Sequence, residues 1–191
     1  MNIYLKQNGS WNLLKGEAFK SELARQHIII AEGARIAEGA SIGAWASIGA
    51  WASIGEKASI GAWAIIGEKA SIGAWASIGE KASIGAWASI GAWARIGAWA
   101  RIGAWASIGE KARIEDTLEC IVMGPLGSDS RLLTFYSDPK GTRAATGCFN
   151  GTLEEFLAAV EKKHGQSRLG LEYRAAVDYA KSKFSLVTKK G

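Results

Sequence analysis

The chain has 191 residues, 48% of them hydrophobic, and carries a net charge of +5 from 23 Lys and Arg against 18 Asp and Glu. That excess is spread, at +2 for residues 1–27 (4 basic, 2 acidic), +2 for 28–114 (8 against 6) and +1 for 115–191 (11 against 10), which excludes a basic tail for long nucleic acid. Two cysteines do not make a disulfide scaffold, the start lacks the apolar run of a signal peptide, and nowhere do eighteen apolar residues run together, so the reading is a soluble cytoplasmic protein without a membrane partner.

Residues 1–27 read as an N-terminal cap. Ile3, Tyr4 and Leu5 and the run from Trp11 to Leu14 flank Asn8-Gly9, a dipeptide that accepts the positive φ angles of a tight hairpin turn. A weakly helical stretch over residues 17–26 leads into Ile28, Ile29 and Ile30. The cap is expected to cover the open end of the element that follows.

That element occupies residues 28–115. Isoleucine recurs every sixth residue from Ile30 to Ile114, fifteen times without a miss. Six is even, so in an extended chain every Ile points to one side, whereas a helix of 3.6 residues per turn would smear the series around its surface. Alanine stands two residues before each Ile from Ile36 onward and faces inward with it; glycine follows each Ile from Ile42 to Ile108, where it is expected to relieve the turn. The period predicts a solenoid in which each repeat leans on its neighbours and the ends need caps.

The unit Ile-Gly-(Ala/Glu)-(Trp/Lys)-Ala-(Ser/Arg) resembles the hexapeptide repeat of left-handed parallel β-helices, the fold of many trimeric acyltransferases. The resemblance implies a mainly β fold, three hexads per triangular coil and so about five coils from fifteen isoleucines, stacked at about 4.8 Å per coil. It also implies a homotrimer. The family's acyltransferases use a histidine as general base on or beside a coil, and often a loop extruded from the prism; residues 30–114 have neither, His27 preceding the first coil and His164 ending a helix. The related γ-class carbonic anhydrases need three zinc-binding histidines, which two histidines at opposite ends do not supply. No catalytic residue, metal site or cofactor is therefore assigned.

Residues 116–191 read as a small α+β domain. Residues 120–123 and 131–136 are strands around the loop 124–128, Asp138-Pro139-Lys140-Gly141 is a turn, and a third strand is expected over residues 143–149. Thr152 with Glu155 forms a capping box for a helix with Leu153, Phe156, Leu157 and Val160 on one face, and a second helix carries Tyr173, Ala176, Val177, Ala180 and Phe184. Cys120 and Cys148 are expected in the core. The segment resembles the C-terminal part of uncharacterised hexapeptide-repeat proteins of bacteria and their phages, which implies no reaction.

The outward positions carry the chemistry. Trp45, Trp51, Trp63, Trp75, Trp87, Trp93, Trp99 and Trp105 share the corner position with Lys57, Lys69, Lys81 and Lys111, and at eighteen residues per coil they fall into three columns where rings stack or ammonium groups lie over indoles. So much apolar surface points to burial between subunits. Arg95, Arg101 and Arg113 replace the common outward Ser in the last two coils, and Arg95 and Arg113 share a column. Glu110 and Glu115 are the carboxylates placed to relieve them; otherwise the arginines, with Trp93, Trp99 and Trp105 as stacking faces and Gly127 and Ser128 as backbone donors, suit a small anionic ligand such as a nucleotide. The main reading is a non-catalytic scaffold, with that nucleotide-binding module, of a kind phages use to sequester ligands, as the alternative and an acyltransferase third.

Overall fold

A computed structural model describes residues 4–7, 10–13, 21, 23–115, 120–126, 131–138 and 141–188. Strands β1 (Tyr4–Gln7) and β2 (Ser10–Leu13) form an antiparallel hairpin with Gln7 opposite Ser10. Fifteen two-residue strands follow, from β3 (Ile29–Ile30) through β4 (Arg35–Ile36) to β14 (Arg95–Ile96), β15 (Arg101–Ile102), β16 (Ser107–Ile108) and β17 (Arg113–Ile114). Every third strand pairs in parallel and in register, which closes a β-solenoid of three walls and about five coils. The hairpin lies at the open end of the first coil, where Leu23 and Ile28 also pack against the core. Its strand β1 pairs with β4, Leu5 opposite Ile36, and so extends one wall.

The parity of the repeat sets the core. The repeat isoleucines are at most 3% exposed and the alanines two residues before them nearly all fully buried, apart from Ile42 and Ala40 in the first coil. Those two lie at or beside Ser41–Ile42, the first strand of its wall, beneath which no strand pairs among the described residues.

Glycine after Ile has a different role from the one expected. Its φ is not positive; a Cβ on Gly61 would instead lie 2.6 Å from the backbone N of Glu80 and 2.6 Å from the carbonyl carbon of Gly79, in the next coil. The glycines let one coil settle on another. The left-handed conformation falls two residues later, on the corner Trp and Lys residues, at φ between 53° and 64°. Side chains rarely adopt that conformation, at a cost of about 1–2 kcal/mol each. Each corner is held by a hydrogen bond to the coil below, as where Trp63 N–H donates to the Ala44 carbonyl at 2.9 Å.

Beyond the solenoid, β18 (Cys120–Leu126), β19 (Arg131–Asp138), β20 (Gly141–Thr146) and β21 (Phe149–Thr152) form an antiparallel meander, followed by α1 (Leu153–His164) and α2 (Arg168–Thr188). The expected third strand is two, because Gly147 at φ 56° opens a two-residue loop between Thr146 and Phe149, the position where a type II′ turn requires positive φ. Cys148 sits in that loop and is exposed, not in the core as expected. The Thr152–Glu155 capping box is present, and Ala176, Val177, Ala180 and Phe184 are buried on α2.

One face of this meander closes the last coil. Ser107 N–H donates to Thr134 Oγ1 at 3.0 Å, Gly109 N–H to the Tyr136 hydroxyl at 3.3 Å, and Gly103 N–H to the Cys120 sulfur. Three side chains thus accept the bonds that a further coil would otherwise receive. Burial pushes the Cys120 thiol from 9.0 up to about 12, against the opposing pull of the Gly103 hydrogen bond and the Lys183 charge. An unfolded chain ionises this thiol near pH 9 while the folded one keeps it neutral, so its contribution to stability is complete below about pH 9 and is lost as pH rises toward 12. Urea midpoints measured from pH 8 to 10.5 are therefore expected to fall more steeply for the parent than for Cys120→Ala; parallel curves would contradict the burial.

Candidate functional site

The corner columns are stacked at the coil spacing. In the first, Trp45 and Trp63 lie 4.7 Å apart with planes 2° from parallel, and the Lys81 ammonium sits 4.4 Å from the Trp99 ring. In the second, Lys69 lies 4.5 Å over Trp87, which stacks on Trp105 at 4.8 Å. In the third, Lys57 lies 4.6 Å over Trp75, which stacks on Trp93 at 4.9 Å. Each corner Lys also pairs with the Glu before it, at 3.1–3.4 Å, on open surface where such pairs contribute about 0–1 kcal/mol.

Stacking occupies both faces of Trp45, Trp75 and Trp87 and one face of the last tryptophan in each column. Trp93, Trp99 and Trp105 are the last tryptophans of their columns, 51%, 62% and 53% exposed. Among the described residues, none of the three has a second ring or ammonium stacked on its other face. One rung lay outside the sequence reading: His27 stacks on Trp45 at 3.8 Å and adopts the same left-handed corner conformation. It stands eighteen residues before Trp45, so the coil spacing itself was the signal.

The arginines divide between two walls. Arg95 and Arg113 are direct register partners on β14 and β17, flanked at one corner by Trp99 and at the other by Trp93 and Lys111. Arg101 pairs with Ser83 on the next wall, around the corner at Trp99, and Trp105 lies at that wall's far corner. The six of these residues that the structure describes are therefore divided between two walls that meet at the Trp99 corner. Gly127 and Ser128 lie outside the described residues.

The charge balance on the Arg95 wall is incomplete. Arg113 pairs with Glu115 at 3.2 Å, but Glu110 is held by Lys111 and does not relieve the arginines. Among the described residues no carboxylate pairs with Arg95. Two guanidinium groups on strands about 4.8 Å apart repel by about 1–3 kcal/mol at surface dielectric values. An anion bound between them removes that repulsion. Among the described residues, no three His, Cys, Asp or Glu side chains converge on a metal position.

Residues 64–98 and 76–110 match the family model for the bacterial transferase hexapeptide (six repeats). The solenoid is a hexapeptide-repeat left-handed β-helix. No curated protein sequence matches the chain. Solved structures with similar coils include the acetyltransferase domain of PglB from Neisseria gonorrhoeae, in complex with acetyl coenzyme A, at 17% identity and a TM-score of 0.29 over 46% of this chain and 51% of that one. A perosamine N-acetyltransferase from Caulobacter crescentus, in complex with CoA and GDP-perosamine, gives 19% and 0.23 over 51% and 60%. A putative acetyltransferase from Bacillus cereus gives 13% and 0.28 over 95% and 94%. This chain thus spans about half the length of the first of these. At such low scores and identities none of them bears on what this chain does.

The family match does overturn one expectation. A non-enzyme was expected because no histidine lies on the coils, yet the repeat is that of bacterial transferases. A missing coil histidine removes one route to a general base; carboxylates and other side chains also accept protons.

Proposed function

We propose that this chain is an acyl-transfer protein of the hexapeptide class that binds an anionic, nucleotide-bearing ligand on the Arg95 wall. In this proposal it acts in the cytoplasm as a homotrimer, each subunit comprising a cap at residues 1–27, a β-helix at 28–115 and a C-terminal domain at 116–191. The observation that carries it is the in-register pair Arg95 and Arg113, two guanidinium groups of which, among the described residues, only Arg113 is paired with a carboxylate, beside an exposed indole. Phosphates suit the arginine fork and a base suits the indole. The transferase repeat supports acyl transfer as the reaction class. His27 stands four rungs below Trp99 in the same column, too far to act at this wall, whereas Glu115, paired with Arg113, is a carboxylate at the wall itself.

Assembly follows from exposed apolar surface. Ile29 and Ile65 point outward from one wall, 64% and 54% exposed, next to corner tryptophans that are 44–62% exposed. Ser47 stands between the two isoleucines, and the corner tryptophans beside them enlarge the apolar surface that an assembly would cover.

The test is calorimetric titration of acetyl-CoA, ADP and cyclic dinucleotides into the parent and an Arg95→Ser, Arg113→Ser variant. The parent is expected to bind acetyl-CoA and the variant to bind it at least about tenfold more weakly, since each charge-assisted hydrogen bond contributes about 1.5–3 kcal/mol. Equal binding by both proteins, or none by the parent, removes the site.

A further inference from the structure

The C-terminal domain holds a cavity of about 370 Å³ that is separate from the solenoid walls. It opens between the β20–β21 loop, α1 and the start of α2. One wall is a chain of rings: Phe149 meets Phe156 at 5.4 Å, Phe156 meets Tyr173 edge to face at 5.6 Å, and Tyr173 meets His164 at 5.6 Å. Phe156 and Val160 at its floor are each 3% exposed. It is a recess open to solvent, with core side chains at its floor and exposed residues at its rim, the concave and largely apolar form that ligand sites take.

The charges around it have one sign. No Asp or Glu lines the cavity, whereas Lys163 does, and among the described residues no carboxylate pairs with Lys163. The other cation close by is engaged: Arg174 donates to Glu161 Oε2 at 2.9 Å, to the Gly165 carbonyl at 2.8 Å and to Gln166 Oε1 at 3.2 Å. In doing so it also caps the carbonyl end of α1 and offsets the negative potential that a bare helix C-terminus would present to an anion.

We infer that this cavity binds a small apolar carboxylic acid, its hydrocarbon part against Phe149, Phe156 and Tyr173 and its carboxylate at Lys163. A neutral apolar molecule leaves the ammonium unused, and a dianion or a phosphate exceeds the single cation at the rim. The site stands apart from the Arg95 wall, and either can fail without the other.

Cys148 supplies the readout, because it is exposed and lines the cavity while Cys120 is only partly exposed and hard to ionise. With 3-phenylpropionate as the probe, labelling of Cys148 by a disulfide reagent at pH 7.5 is expected to slow in a saturable way. Lys163→Gln should raise the half-protecting concentration about tenfold or more, the loss expected for one charge-assisted contact. The uncharged 3-phenylpropionamide should protect more weakly than the acid in the parent and equally in both proteins. Ala159→Trp, at an exposed position on the cavity wall, should abolish protection by the acid. The inference is overturned if the parent shows no protection at about 10 mM, if the acid protects Lys163→Gln as well as the parent, or if the amide matches the acid in the parent.

Discussion

Gly61→Ala is expected to lower the unfolding free energy by about 3 kcal/mol or more, while Gly103→Ala, at the same position of the repeat, changes it by less than about 1 kcal/mol. Adding a methyl group to a glycine at ordinary φ normally stabilises by about 0.4–1 kcal/mol by restricting the unfolded chain. At Gly61 the new Cβ would meet backbone atoms of the next coil at 2.6 Å, and backbone cannot swing aside as a side chain does. The coils must separate, and the strand bonds around Gly61, such as its own N–H to the Ile78 carbonyl at 2.7 Å, lengthen with them. Gly103 lies in the last coil, where the nearest atom is the Val122 Cγ2 at 3.5 Å, an ordinary contact. Thermal melts of the two variants give the comparison, and similar melting temperatures would show that coil approach is not what the glycines serve.

Ile72→Asn should be about as damaging, at about 3–5 kcal/mol. The side chain is 2% exposed in the middle of the stack, so about 1.5–3 kcal/mol of burial is lost and an amide is left without partners for a further 1–3 kcal/mol. Ser71→Asn, one residue earlier on the same strand, points outward and should stay within about 0.5 kcal/mol. Urea unfolding of both variants measures the difference; equal losses would mean that the inward and outward assignments are wrong.

These contrasts show what was legible in the chain. A strict period of six fixes which side of an extended strand faces in, and three hexads per coil fix which residues stand above one another. That is why the Arg95–Arg113 pairing and the Trp–Lys columns could be read directly, and why His27 could have been. The rest depends on contacts that no local period encodes. Tryptophan in the left-handed corner runs against ordinary preference, and the hydrogen bond to the coil below that secures it appears only once the coils are stacked. Thr134, Tyr136 and Cys120 look like ordinary strand residues until the meander is laid on the last coil. The cavity draws on Cys148, Lys163 and Tyr173 from a turn and two helices, and nothing in their spacing joins them.

The proposal that this β-helix binds a nucleotide-bearing ligand as a trimer meets its most direct test in native mass spectrometry of the protein mixed with acetyl-CoA. It predicts a mass of three chains carrying bound acetyl-CoA for the parent, and three bare chains for the Arg95→Ser, Arg113→Ser variant. A bare single chain from the parent, or acetyl-CoA retained equally by the variant, would contradict it.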